Sequence, residues 1–161
     1  MAQLSRLASL IFLTTALAQS GTAWAGMALD RSIIHMNAGD AESVDVTVSN
    51  NGDEPLYVDT EIVEVLSPGT EAEDRVPVGA SLDVPLLVSP NKLVVPPGQM
   101  RLLRIVNMAG HGDRERVFRV TAKPVPPPAV AERSGVRVMV AYQMLVLVAP
   151  AGIVTVPGVN W

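Results

Sequence analysis

Two histidines, no cysteine and sixteen carboxylates are the side chains from which this 161-residue chain could build a reactive site. His35 falls in a stretch that reads as strand, and His111 stands between Gly110 and Gly112 in a polar loop. Neither has the nearby Ser/Asp or Glu/His companion that a nucleophilic triad or a metal centre needs. A lone histidine in such a loop is expected to be solvated. The cluster Glu71-Ala72-Glu73-Asp74 is acidic enough to attract calcium but lacks the alternating ligand spacing of an EF-hand loop. Neither a phosphate-cradling glycine loop nor an HExxH pair occurs. Without cysteine there is no thiol nucleophile, zinc–thiolate site or redox pair. The residues therefore point away from an enzyme, and no metal or cofactor is expected. What remains is recognition through charge and backbone.

Charge is unevenly spread. Gly26 to Asp83 holds thirteen acids and two bases, whereas Val84 onward holds three acids and nine bases. Either two solvated faces of one domain carry the two signs, or the basic half meets an anionic group on a partner. The net charge of −4 and 4% aromatic content argue against nucleic acid.

The elements that must position any site begin after a segment that does not belong to the fold. Arg6, the apolar run Leu7 to Ala18, and Ala23-Trp24-Ala25 before Gly26 form the three-part layout of a cleaved secretory signal peptide, residues 1–25. The apolar run is shorter than the roughly 20 residues that span a bilayer core. Residues 26–150 then suffice for one domain with its own core.

Within that domain the pattern is strand throughout. Ser43 to Ser49 alternates polar and apolar for seven residues. Leu56–Val65, the short pieces Leu86–Val88 and Leu93–Val95, Gln99–Val106 and Arg116–Ala122 read as further strands, separated by turn-forming residues such as Asn50-Asn51-Gly52 and Pro96-Pro97-Gly98. Residues 66–83 read as a long exposed loop, and Pro124 to Pro128 as a stretch unable to pair in a sheet. The run Val136 to Val148 is β-branched or apolar almost throughout. No 3.6-residue period with helix caps appears. About seven strands so punctuated predict an all-β, immunoglobulin-like antiparallel sandwich.

Several pieces in order resemble one known family. Leu86-Leu87-Val88-Ser89-Pro90, Pro96-Pro97-Gly98-Gln99, Leu103-Arg104-Ile105-Val106, Asp113-Arg114-Glu115-Arg116-Val117-Phe118 and Gly135-Val136-Arg137-Val138 through Ala149-Pro150 are similar to the N-terminal domain of periplasmic pilus-assembly chaperones of the chaperone–usher class, its archaic branch in particular. The resemblance implies a periplasmic chaperone whose partners are pilus subunits, with an outer-membrane usher as a further candidate, and no nucleic-acid or small-molecule partner. It also implies a mechanism. Pilus subunits of this class lack a final strand, and the chaperone lends its own last strand, Val136–Val148, to the open groove. Val136, Val138, Val140, Tyr142 and Met144 lie at two-residue spacing and would share one face. The alternative, a strand buried on both faces within its own sandwich, stays open at this point.

Two departures qualify the likeness. The family anchors the subunit's terminal carboxylate with an arginine in the first strand and a lysine in the seventh. Here those places fall on Ser32 or Ile33 and on Met139. Arg31, Arg137 and Arg119 are the substitutes on offer, since a guanidinium binds a carboxylate through paired hydrogen bonds. The family also carries a second sandwich domain, which Glu115 helps to hold, and the tail 151–161 stands where that domain would begin. The rival readings are a structural pilin or adhesin-type module and a truncated, non-functional chaperone remnant.

Overall fold

In the computed structural model, residues 26–79, 84–126 and 139–152 are described, and they form ten strands and no helix. The strands are β1 (Met27–Leu29), β2 (Ile33–Met36), β3 (Ser43–Asn50), β4 (Leu56–Leu66), β5 (Asp74–Pro77), β6 (Leu86–Ser89), β7 (Lys92–Val95), β8 (Met100–Asn107), β9 (Arg116–Val125) and β10 (Tyr142–Val148). One sheet has the order β1-β3-β8-β6; the other runs β2-β10-β9-β4-β5, with β7 also pairing β4. Twice the chain passes from one sheet to the other across a short break. It crosses between β1 and β2 at Asp30–Ser32, and between β6 and β7 at Ser89–Asn91, where the Ser89–Pro90 peptide is cis. Counting each of these once recovers the seven expected strands and adds β5.

The core lies between the sheets and follows the period of two. Val46 and Val48 of β3, Leu103 and Ile105 of β8, and Leu86 and Val88 of β6 face Ile34, Met36, Met144, Val146, Val148, Phe118, Val120 and Ala122 from the other sheet. All are buried, and each large side chain contributes about 1.5–3 kcal/mol of transfer free energy. With no cysteine in the chain, this burial takes the place of cross-links.

The structure departs from the sequence reading at three places. Asp74–Pro77, expected in a loop, pairs antiparallel with Val63–Leu66. All four of its residues are exposed, so no alternation marks it. Pro124 and Val125 extend β9 opposite Val58 and Tyr57, at a strand end where a missing N–H is tolerated. And β10 runs parallel to β2, so the sandwich is antiparallel everywhere but there.

The charge asymmetry resolves into neighbouring strands. Acidic β3 lies against basic β8, where Asp45 takes both Arg104 nitrogens at 2.7 Å. Acidic β4 lies against β9 and β7, with Glu64–Arg116 at 2.9 and 3.0 Å and Asp59–Lys92 at 3.3 Å. Opposite charges across a strand pair add up to about 1 kcal/mol each at exposed positions. The two signs are thus interleaved strand by strand within each sheet and are not divided between two faces of the domain.

Candidate functional site

The backbone of β10 is paired on both sides only in its second half. Against β9 its register runs from Tyr142↔Ala122 to Val148↔Arg116, but against β2 it begins at Leu145↔Ile33. The cause is the crossing at Asp30–Ser32: β2 enters this sheet only at Ile33, where the Leu145 N–H donates to the Ser32 carbonyl at 2.8 Å. Backbone groups alternate sides along a strand. Gln143 therefore aims its N–H and C=O to the same side as Leu145, where no strand among the described residues lies against it. Among the described residues this is an uncovered sheet edge, and such an edge is a template for strand addition.

The side chains of that segment divide in a way the spacing alone did not show. Tyr142 packs on the core, and Met144 is wholly buried opposite Val120. Val140 and Met139 are exposed, at 53% and 44%. The expectation of one presented face from Val136 to Met144 is thus corrected at its C-terminal end. Met144 is core because the facing sheet still covers the strand there. Val136, Arg137 and Val138 lie outside the described residues. Regular strand begins only at Tyr142.

Two of the three substitute arginines, Arg31 and Arg119, lie among the described residues. Arg31 sits in the crossing beside Ser32 and is paired with Asp30, its Nη2 and Nε at 3.0 and 3.3 Å from Oδ2. Asp30 also accepts the Thr47 N–H at 2.9 Å. Partial burial raises the Asp30 pKa, but the Thr47 amide and the Arg31 guanidinium outweigh it and hold the carboxyl below its usual range. Arg119 lies on the outer face of β9, donating to Gln143 Oε1 at 3.0 Å, while Gln143 Nε2 donates to Thr121 at 3.2 Å. The residue set against Ile33 is Leu145, not Met139, so both sides of that register are apolar. Glu115 is exposed and lines a recess with Glu64, Leu66, Asp113 and Arg116, away from the β10 edge.

Sequence reasoning missed the groups that hold the ends of these strands. His111, expected in solvent, is only 9% exposed: Nδ1 lies 2.6 Å from the Ala149 carbonyl and Nε2 3.5 Å from Glu42. It fastens the β8–β9 loop to the exit of β10, and its partners come from distant parts of the chain. Asn50 is buried at the end of β3, donating to the Glu54 and Val95 carbonyls at 2.8 and 2.9 Å and accepting the Gly52 N–H at 2.9 Å. The Asn50-Asn51-Gly52 turn was a visible signal for the local half of that arrangement only. Among the described residues no group of three or more His, Asp or Glu side chains is placed to hold a metal.

Residues 26–154 match the family described as pili and flagellar-assembly chaperone, PapD N-terminal domain. Solved structures share the fold. The class 5 fimbriae chaperone CfaA is 23% identical with a TM-score of 0.66, covering 77% of this chain and 56% of its own. A chain of the CsuC–CsuE chaperone–tip adhesion subunit pre-assembly complex from archaic Csu pili of Acinetobacter baumannii is 16% identical, TM-score 0.61, with 79% and 58% covered. A chain of the Salmonella enterica SafA pilin–SafB chaperone complex is 22% identical, TM-score 0.61, with 84% and 60% covered. The chain thus spans under two thirds of the length of these proteins. No curated protein matches it by sequence.

Proposed function

The chain belongs to the PapD N-terminal-domain family of pili and flagellar-assembly chaperones, and from that premise we propose that it holds pilus subunits by lending them the uncovered edge of β10. The observation that carries the reading is the half-paired strand: β9 on one side from Tyr142, β2 on the other only from Leu145. A subunit strand laid along this edge would satisfy the outward N–H and C=O groups of Gln143 and continue the sheet. Side chains N-terminal to the sandwich core supply the apolar teeth. Val140 is exposed, and Val136 and Val138 continue its two-residue spacing. Tyr142 and Met144 serve instead to root the strand in its own core.

Solved relatives were captured with a tip adhesion subunit and with a pilin, which fits a partner of that kind. Arg31, at the end of the open edge, is the cation best placed to meet a terminal carboxylate, which would have to compete with Asp30 for the guanidinium. The work is non-catalytic and takes place in the periplasm after cleavage before Gly26. The mass of the exported chain checks that cleavage.

The test of the whole reading is co-expression with a pilus subunit and recovery of the complex. Val138→Asp and Val140→Asp each place a carboxylate where an apolar tooth should enter a groove, and both are expected to abolish co-purification while the free chain stays folded. Undiminished recovery of the complex with both variants rejects β10 as the lent strand.

A further inference from the structure

The second sheet switch leaves a second uncovered edge, independent of β10. β6 covers β8 only from Arg104 to Asn107, because the chain leaves that sheet at Ser89 and turns to join β4 as β7. Met100 to Leu103 keeps β3 on one side and nothing on the other among the described residues. The direction of its backbone groups follows from the bonds at either end. The Gln99 carbonyl accepts from Asn50 N–H and the Asn107 N–H donates to the Glu42 carbonyl, so odd-numbered residues face β3. Met100 and Leu102 therefore face the open side.

Both carry exposed apolar side chains on the outer surface of the sheet, Met100 at 64% and Leu102 at 57%, with only Thr47 and Ser49 set beside them on β3. Between them Arg101 points to the opposite face. Its guanidinium donates to the Met100 carbonyl at 2.9 Å and has no carboxylate partner among the described residues. Arg104, two residues beyond Leu102, adds a second cation on the outer surface, shared with Asp45.

We propose that the Met100–Leu103 edge accepts an extended segment of another protein with the pattern apolar–acidic–apolar. An added strand must alternate its side chains in step with β8. Apolar residues would then lie beside Met100 and Leu102, and the carboxylate between them beside Arg101. Pairing supplies acceptors and donors for Leu102, and the incoming carboxylate draws Arg101 off the Met100 carbonyl. On a chain of net charge −4, a guanidinium with no carboxylate partner among the described residues selects, at an apolar edge, for an acidic occupant.

The experiment uses isotopically labelled residues 26–161 and two blocked pentapeptides, Thr-Val-Asp-Val-Thr and Thr-Val-Lys-Val-Thr, titrated to millimolar concentration. The expected result is amide shifts confined to Met100–Leu103 with the aspartate peptide, and about tenfold weaker binding for the lysine peptide, for Leu102→Glu and for Arg101→Ala. Leu102→Pro removes an N–H that this fold does not use, and should abolish the shifts; Leu102→Glu decides the matter should the proline variant unfold. Absence of shifts, equal binding of both peptides, or shifts centred on Ala141–Leu145 overturns the proposal. The last outcome would assign strand addition to the β10 edge alone, so the two readings fail separately. Concentration-dependent dimerisation that masks these amides would make a second copy the occupant and equally overturn it.

Discussion

Replacing Met144 and Val140 by alanine, one at a time, separates the rooted half of the last strand from its presented half. Met144 is fully buried, set against Val120 in β9 and between the buried pair Ala122 and Phe118. Truncation to alanine removes its buried side-chain atoms beyond Cβ and leaves a cavity in a close-packed interior, at a cost of about 2–5 kcal/mol. Val140 is 53% exposed and precedes the regular strand, so the same truncation should change stability by no more than about 0.5 kcal/mol. Urea unfolding of residues 26–161 reads both effects as shifts in the midpoint at constant slope. In complex formation with a subunit the order should reverse: Val140→Ala weakens capture, whereas Met144→Ala does so only as far as the chain unfolds. A Met144→Ala cost below about 1 kcal/mol would mean the strand is not rooted where the packing places it. The division of β10 into two halves would then be wrong.

Asn50→Ala leaves the Glu54 and Val95 carbonyls and the Gly52 N–H without their side-chain partner. A loss of about 2–3 kcal/mol is expected in the same unfolding assay, because a buried polar group stranded without a partner costs roughly 1–3 kcal/mol. The pH dependence follows from the depressed carboxyls. In Asp45 the Arg104 hydrogen bonds and charge outweigh desolvation, in Glu73 the Gly69 amide and Arg75 do so, and in Asp30 the Thr47 amide and Arg31 prevail over burial. A carboxyl whose pKa is lower folded than unfolded stabilises the fold above its unfolded pKa. That contribution disappears as pH falls through the folded value. The thermal midpoint should therefore drop as pH is lowered below the ordinary carboxylate range of about 4, and Asp45→Asn should flatten part of that drop at low ionic strength.

The alternation of Ser43 to Ser49 was legible because it is local: a strand with one face in the core repeats every two residues wherever it occurs. The same holds for β8, β9 and the long apolar run that ends in β10. β5 left no such mark, since all its residues are exposed and it is a strand only because β4 is long enough to pair with it. His111 looked like a solvated loop residue because Glu42 and Ala149, its partners, are far off in the chain. The acid-then-base distribution was visible at once, yet its meaning depended on β3 being laid against β8 and β4 against β9.

The site shows the same boundary between local and non-local information. From sequence alone came the all-β class, the family likeness and a last strand rich in apolar residues. Which of those residues are presented was decided by tertiary structure. The same two-residue spacing puts Met144 in the core and Val140 in solvent, because the facing sheet covers one and not the other. The open backbone edge, too, depends on a neighbour more than a hundred residues away in the chain, which enters the sheet only at Ile33. A strand's periodicity is written in its own residues, whereas its free edge is set by where another strand stops.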